Sequence, residues 1–140
     1  MKKDMGGSAV VLGIAYALMS INCPVNLRVI LPIAENSISE KSMRPLDVIY
    51  SRNKTAVEIG NTDAEGRLLL ADALTFSQES KIKNNFVIDF ATLTGAARVA
   101  LGTELPALFT NDSNLGKIII NEGKHQIDPM WELPLFTPYE

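Results

Sequence analysis

Apolar residues at Val10, Val11, Ile14, Leu18 and Ile21 follow the three-to-four spacing of one helical face, in a run opened by Gly6-Gly7-Ser8 and stopped at Pro24. Residues 25–33 read as a buried strand, with Val29-Ile30-Leu31 at its centre and Asn26 and Arg28 near its entrance. The polar, proline-bearing stretch 34–46 is a connection. Two short strands are expected at 47–50 and 55–59, joined by a turn at Ser51-Arg52-Asn53-Lys54. Residues 64–77 carry Leu68, Leu69, Leu70, Ala71, Ala73, Leu74 and Phe76 on most sides, the pattern of a deeply buried helix. Phe86-Val-Ile-Asp-Phe90 reads as another buried strand running into 91–95, and residues 105–109 as a further short one. Asp112 or Ser113 is placed to cap a helix through Gly123. Near-continuous apolar strands alternating with helices predict an α/β fold, a mixed, mainly parallel sheet covered by helices on both faces. No internal repeat or linker interrupts the pattern.

Composition narrows the partners more than the fold. The 140 residues are 46% hydrophobic and 21% charged, with both signs interspersed, which excludes a disordered or low-complexity chain. A net charge of −3 with no basic cluster longer than Lys2-Lys3 argues against nucleic acid and against anionic membranes, and favours a peptide or small molecule. Lys2-Lys3 ahead of an apolar run resembles a secretory signal. However, Asp4 breaks the positive region, Ser20-Ile21-Asn22 before Cys23 lacks the small residue of a cleavage site, and the run is shorter than the ~20 residues that span a bilayer. A cytoplasmic location is expected. The single cysteine, Cys23, cannot form an internal disulfide and reads as a buried apolar side chain.

Chemistry concentrates at Glu58-Ile-Gly-Asn-Thr-Asp63-Ala-Glu65-Gly-Arg67, between a strand and an apolar helix, where α/β folds place their sites. Asp63 and Glu65 stand two apart. An extended or turn backbone can aim both at one cation, whereas a regular helix would separate them by about 200°. Two further readings compete with metal binding: Asp63 as a helix cap, and Glu65 as a first-turn acid favoured by the helix dipole. Arg67 suits either a structural partner for these acids or a bidentate holder of an anion. Residue chemistry leaves these alternatives close to even.

The octapeptide Asn61-Thr-Asp-Ala-Glu-Gly-Arg-Leu68 resembles the signature of the leucine (cytosol) aminopeptidase family of metallopeptidases. The resemblance continues in order through Met1-Lys-Lys-Asp4-Met-Gly-Gly7, Ala34-Glu-Asn36, Arg44-Pro45, Ala91-Thr-Leu-Thr-Gly-Ala96 and Trp131-Glu-Leu-Pro-Leu135. It implies the zinc aminopeptidase catalytic fold and release of N-terminal residues, with leucine-type preference, from peptide substrates. It also implies two divalent cations, zinc or manganese, with Glu65 bridging them, Asp63 on one through its carboxylate and main-chain carbonyl, and Asp4 on the other. A metal-activated water would attack the carbonyl while Arg67 holds a bicarbonate-like anion. By the same resemblance Thr92, Leu93 and Gly95 line the substrate site and Met1 its apolar pocket, and the whole enzyme assembles as a hexamer. His125 and Trp131 read as structural residues.

The family carries, upstream of the Met-Lys-x-Asp segment, a glycine-rich stretch with a metal-binding lysine, a bridging aspartate and a second lysine. That stretch is not in this sequence, so residues 1–140 are expected to be part of a C-terminal catalytic domain, cut at both ends, with three of the family's five side-chain ligands, weak cation binding at one site at best and no turnover by these residues alone. A catalytically silent structural or interaction module is the alternative. Leu46 stands where the family commonly has glycine, which reads as a minor loop change.

Overall fold

The computed structural model describes residues 4–79, 83 and 85–139. The chain divides into two compact units, Met1–Leu93 and Thr94–Glu140. In the first, helix α1 spans Gly6–Ser20 and ends as the spacing predicts, its last turn closed by Ile21 and Asn22 amides on Ala17 and Met19 carbonyls. Strands β1 (Val48–Tyr50) and β2 (Ala56–Glu58) pair antiparallel, Ile49 opposite Val57. The hairpin closes as expected at residues 51–54: the Lys54 amide donates to the Ser51 carbonyl, and Lys54 takes the left-handed φ of 71° that completes such a loop. A 3₁₀ turn at Thr62–Ala64 then leads into helix α2, Gly66–Gln78.

In the second unit, helix α3 (Ala96–Leu101) follows Gly95 and stops at Gly102, whose φ of 84° suits a residue without Cβ. Strand β3 (Ala107–Leu108) pairs in parallel with β4 (Trp131–Glu132), and helix α4 (Ser113–His125) lies between them in sequence. Asp112 is the cap the sequence offers, its Oδ1 accepting the Asn114 and Leu115 amides at 2.9 and 3.0 Å.

Helix and strand are mixed as the α/β reading requires, one ladder antiparallel and one parallel. Two expected strands differ. Residues 25–33 and 86–90 have no ladder partner among the described residues, and most of their side chains are exposed, Ile33 to 84%, with Ile30 and Leu31 half-buried. A continuous apolar run signals burial on both faces, but burial needs covering material, which the described residues do not supply. Residues 25–33 meet α2 where the Arg28 guanidinium lies 4.6 Å from the centre of the Phe76 ring. Helix α2 is likewise less buried than its Leu- and Ala-rich sequence implies: only Ser77 is fully buried, while Leu68, Leu69 and Leu70 are half-covered and Leu74 and Phe76 exposed. Cys23, expected inside, is half-buried and free.

Glycines determine what can approach the helix starts. A Cβ on Gly7 would sit 2.1 Å from the Phe90 carbonyl oxygen, one on Gly6 2.9 Å from Thr92 Cγ2, and one on Gly66 2.9 Å from Leu93 Cδ1. The 90–93 segment therefore lies directly against the first turns of both α1 and α2, a contact only bare backbone permits.

The hairpin is tied to α2 by Arg52. Its amide donates to Asp72 Oδ1 at 2.8 Å, and its guanidinium to both Glu79 oxygens at 2.8 Å. These bonds first, and the Arg52 charge after them, hold the Glu79 carboxyl below the usual carboxylate range. Because the folded value is the lower one, the contribution is present above the unfolded value and lost as pH falls through the folded one. Glu79→Gln is accordingly expected to remove part of the stability lost below about pH 4, read as a flatter acid limb in urea midpoints against pH.

Two glycine substitutions in one helix should act with opposite signs. Gly13 has nothing within 4 Å of its virtual Cβ, so Gly13→Ala is expected to stabilise by about 0.5–1 kcal/mol. Gly7→Ala should destabilise by about 1–3 kcal/mol, because the Phe90 backbone must move. Urea unfolding of both variants checks the pair.

Leu46 is more than a minor loop change. It holds φ 73°, donates its amide to the Ile59 carbonyl at 2.7 Å and leaves its side chain 77% exposed. A branched side chain in the left-handed region costs roughly 1–2 kcal/mol. Leu46→Gly is therefore expected to raise the thermal midpoint, with little packing to lose.

Candidate metal centre

The octapeptide 61–68 occupies the 3₁₀ turn and the first turn of α2, and its local hydrogen bonds decide between the capping and metal readings of its acids. Asn61 caps the 3₁₀ turn: extended at φ −150°, it accepts the Asp63 amide on Oδ1 at 3.0 Å. Asp63 is thus on the turn with its carboxylate exposed and capping nothing. Glu65 is the residue preceding α2 but makes no side-chain cap bond. Asn36 braces the turn from 26 residues away, its Nδ2 donating to the Thr62 carbonyl at 3.0 Å. The roles of Asn36 and Asn61 were not singled out from the sequence. Asn61 was findable, since asparagine two residues before an unpaired amide is the Asx-turn pattern, whereas Asn36 acts over too long a separation for any local signal.

Glu65 carries the feature that most needs a chemical account. Its Oε2 is buried and has no hydrogen-bond partner among the described residues. A carboxylate oxygen removed from water without a donor costs about 1–3 kcal/mol or more, a cost that a bound cation would offset. Glu65 also lines a cavity of about 520 Å³ between α2, the β1–β2 hairpin and residues 34–43, together with Asn36, Ile49, Val57, Leu68 and Asp72. A hard carboxylate oxygen without a donor has the chemistry that suits a divalent cation.

The other expected site residues are distributed as follows. Asp4 is exposed, and instead of capping α1, whose N-cap is Met5, it accepts the Thr92 hydroxyl on Oδ1 at 3.0 Å. Arg67 is exposed at the start of α2 and forms no ion pair with a described carboxylate, so it is not the acids' structural partner there. Thr92 and Leu93 lie in the first unit against Gly6 and Gly66, whereas Gly95 belongs to the second, as the residue preceding α3. Met1 lies outside the described residues. Among the described residues no three His, Cys, Asp or Glu side chains are gathered closely enough to hold a metal ion. The donor chemistry therefore fits a cation at Glu65, while a three-carboxylate cluster of Asp4, Asp63 and Glu65 is not formed.

The family model described as the catalytic domain of the cytosol aminopeptidase family matches residues 1–140. A probable cytosol aminopeptidase of Xylella fastidiosa (strain M12) is 44% identical over the whole chain, which spans 28% of that protein's length. The crystal structure of cytosol aminopeptidase from Coxiella burnetii superposes with a TM-score of 0.91 at 51% identity, covering 99% of this chain and 30% of that one. The bottromycin maturation enzyme BotP in complex with Mn gives a TM-score of 0.91 at 39% identity, covering 97% and 30%. With its octapeptide, its fold and its full length matched together, the chain belongs to the cytosol aminopeptidase family and carries part of that family's catalytic domain.

Proposed function

We propose that this chain serves a metal-dependent aminopeptidase that removes N-terminal residues, leucine preferred, from peptides. The observation that carries the reading is the buried, unpartnered Oε2 of Glu65 inside the octapeptide. Glu65, Asp63 and Asp4 are the residues assigned to hold the divalent cations, manganese or zinc. The BotP complex supports manganese as one of them. When bound, such cations supply Lewis acidity toward the scissile carbonyl and activate water for attack.

The chain's own residues would position and polarise the substrate. Asp63 is exposed on a turn pinned by Asn61 and Asn36, and its carboxylate and main-chain carbonyl are assigned to one of the cations. Arg67 is uncommitted to the described acids, so its planar fork is free for a bicarbonate-sized anion, which places positive charge where the carbonyl oxygen gains negative charge. Thr92, Leu93 and Gly95, with Met1, are assigned to the peptide and its first side chain. The peptide's free amine would be read as a contact to the cation site, which confines cleavage to chain ends. A cytoplasmic, hexameric assembly acting on peptides, without nucleic-acid or membrane partners, completes the proposal.

Hydrolysis of leucyl p-nitroanilide by the purified protein, stripped of metal and resupplied with Mn²⁺ or Zn²⁺, tests this reading. Glu65→Gln is expected to lower kcat/KM by about 10³-fold, since a cation contributes several kcal/mol and each 1.36 kcal/mol is tenfold. Unchanged turnover in Glu65→Gln would overturn the ligand role of Glu65, whereas no turnover in the parent with either metal, not restored by adding the family's glycine-rich upstream segment, would support a silent structural module.

A further inference from the structure

Thr92 was assigned above to the substrate site, but its side chain is engaged elsewhere. Its hydroxyl donates to Asp4 Oδ1 at 3.0 Å across 88 positions of sequence. Its methyl faces Gly6, where a Cβ would lie 2.9 Å from Cγ2 and 3.9 Å from Oγ1. A β-branched side chain has few χ1 choices. With the methyl seated against Gly6, the hydroxyl is directed at Asp4. Asp4 in turn makes no cap bond to α1, whose N-cap is Met5, and Thr92 is its one hydrogen-bond partner among the described residues. A carboxylate offers about four acceptor sites. The threonine occupies one on Oδ1 and leaves Oδ2 uncommitted.

We propose that Thr92 is a positioning residue: its hydroxyl, aimed by the Gly6 seat, fixes the Asp4 carboxylate so that Oδ2 faces a divalent cation. The proposal rests on the reading of Asp4 as a cation ligand. Ligating carboxylates are commonly oriented by such outer hydrogen bonds, and removing the partner typically weakens metal binding about 10–100-fold.

Titration of the metal-free chain with Mn²⁺, followed through the paramagnetic resonance of the free ion, measures the effect without any turnover. Thr92→Val is expected to bind Mn²⁺ about 10–100-fold more weakly, and Thr92→Ser, which keeps the hydroxyl but loses the methyl that aims it, to weaken binding less than Thr92→Val. Thr92→Ala gives a second route to the loss without adding a methyl, and thermal melting of each metal-free variant separates loss of the hydroxyl from loss of fold. Parent-like affinity in Thr92→Val and Thr92→Ala, beside weakened binding in Asp4→Asn, overturns the positioning role and leaves Asp4 a ligand. Parent-like affinity in Asp4→Asn overturns both. Equal weakening in Thr92→Ser and Thr92→Val also overturns the role, because the hydroxyl would then not be the group that matters.

Discussion

The arrangement of the site depends on one close approach of backbone to backbone, the seating of the Phe90 carbonyl against Gly7 at a distance no side chain could share. From that contact the 90–93 segment reaches Gly6 with Thr92 and Gly66 with Leu93. Two helix starts far apart in sequence, one bearing Asp4 and the other following Glu65, are thereby tied to the same few residues. Glycine at these positions costs conformational entropy in the unfolded chain. What it supplies is a meeting of α1 and α2 with a segment that can hydrogen-bond to one acid and pack beside the other.

Among the described residues, the one buried side-chain polar atom left without a partner lies in the octapeptide, at Glu65. The Asp63 amide goes to Asn61, the Thr62 carbonyl to Asn36, and the hairpin's Arg52 to Asp72 and Glu79. A buried Glu65 oxygen left without a donor is not what a purely structural acid would show. Asn61 caps the 3₁₀ turn, and neither Asp63 nor Glu65 makes a side-chain cap bond to α2, which leaves both acids available. The electrostatic design is therefore a rigid turn that offers carboxylate oxygens it does not itself neutralise.

How much was legible in the sequence follows from the range of each interaction. Helix α1, the Ser51–Lys54 turn and the Asp112 cap depend on neighbours within a few residues, and spacing alone places them. The octapeptide named the family because eight adjacent residues carry that information. Residues 25–33 and 86–90 were misjudged, since apolar content registers a demand for burial but not whether a covering surface is present. The half-covered α2 is the same error. Leu46 at positive φ showed only as a departure from a family glycine, and the Thr92 to Asp4 bond, like the Asn36 brace, was invisible because nothing local records a partner 88 or 26 residues away.

The central claim is that the unpaired Glu65 oxygen exists to hold a cation. Anomalous diffraction at the manganese edge from crystals of this protein grown with Mn²⁺ tests it most directly. The account predicts a peak about 2.0–2.5 Å from Glu65 Oε2. Peaks confined to the exposed Asp72 and Glu79 carboxylates, with Glu65 bare, would contradict it.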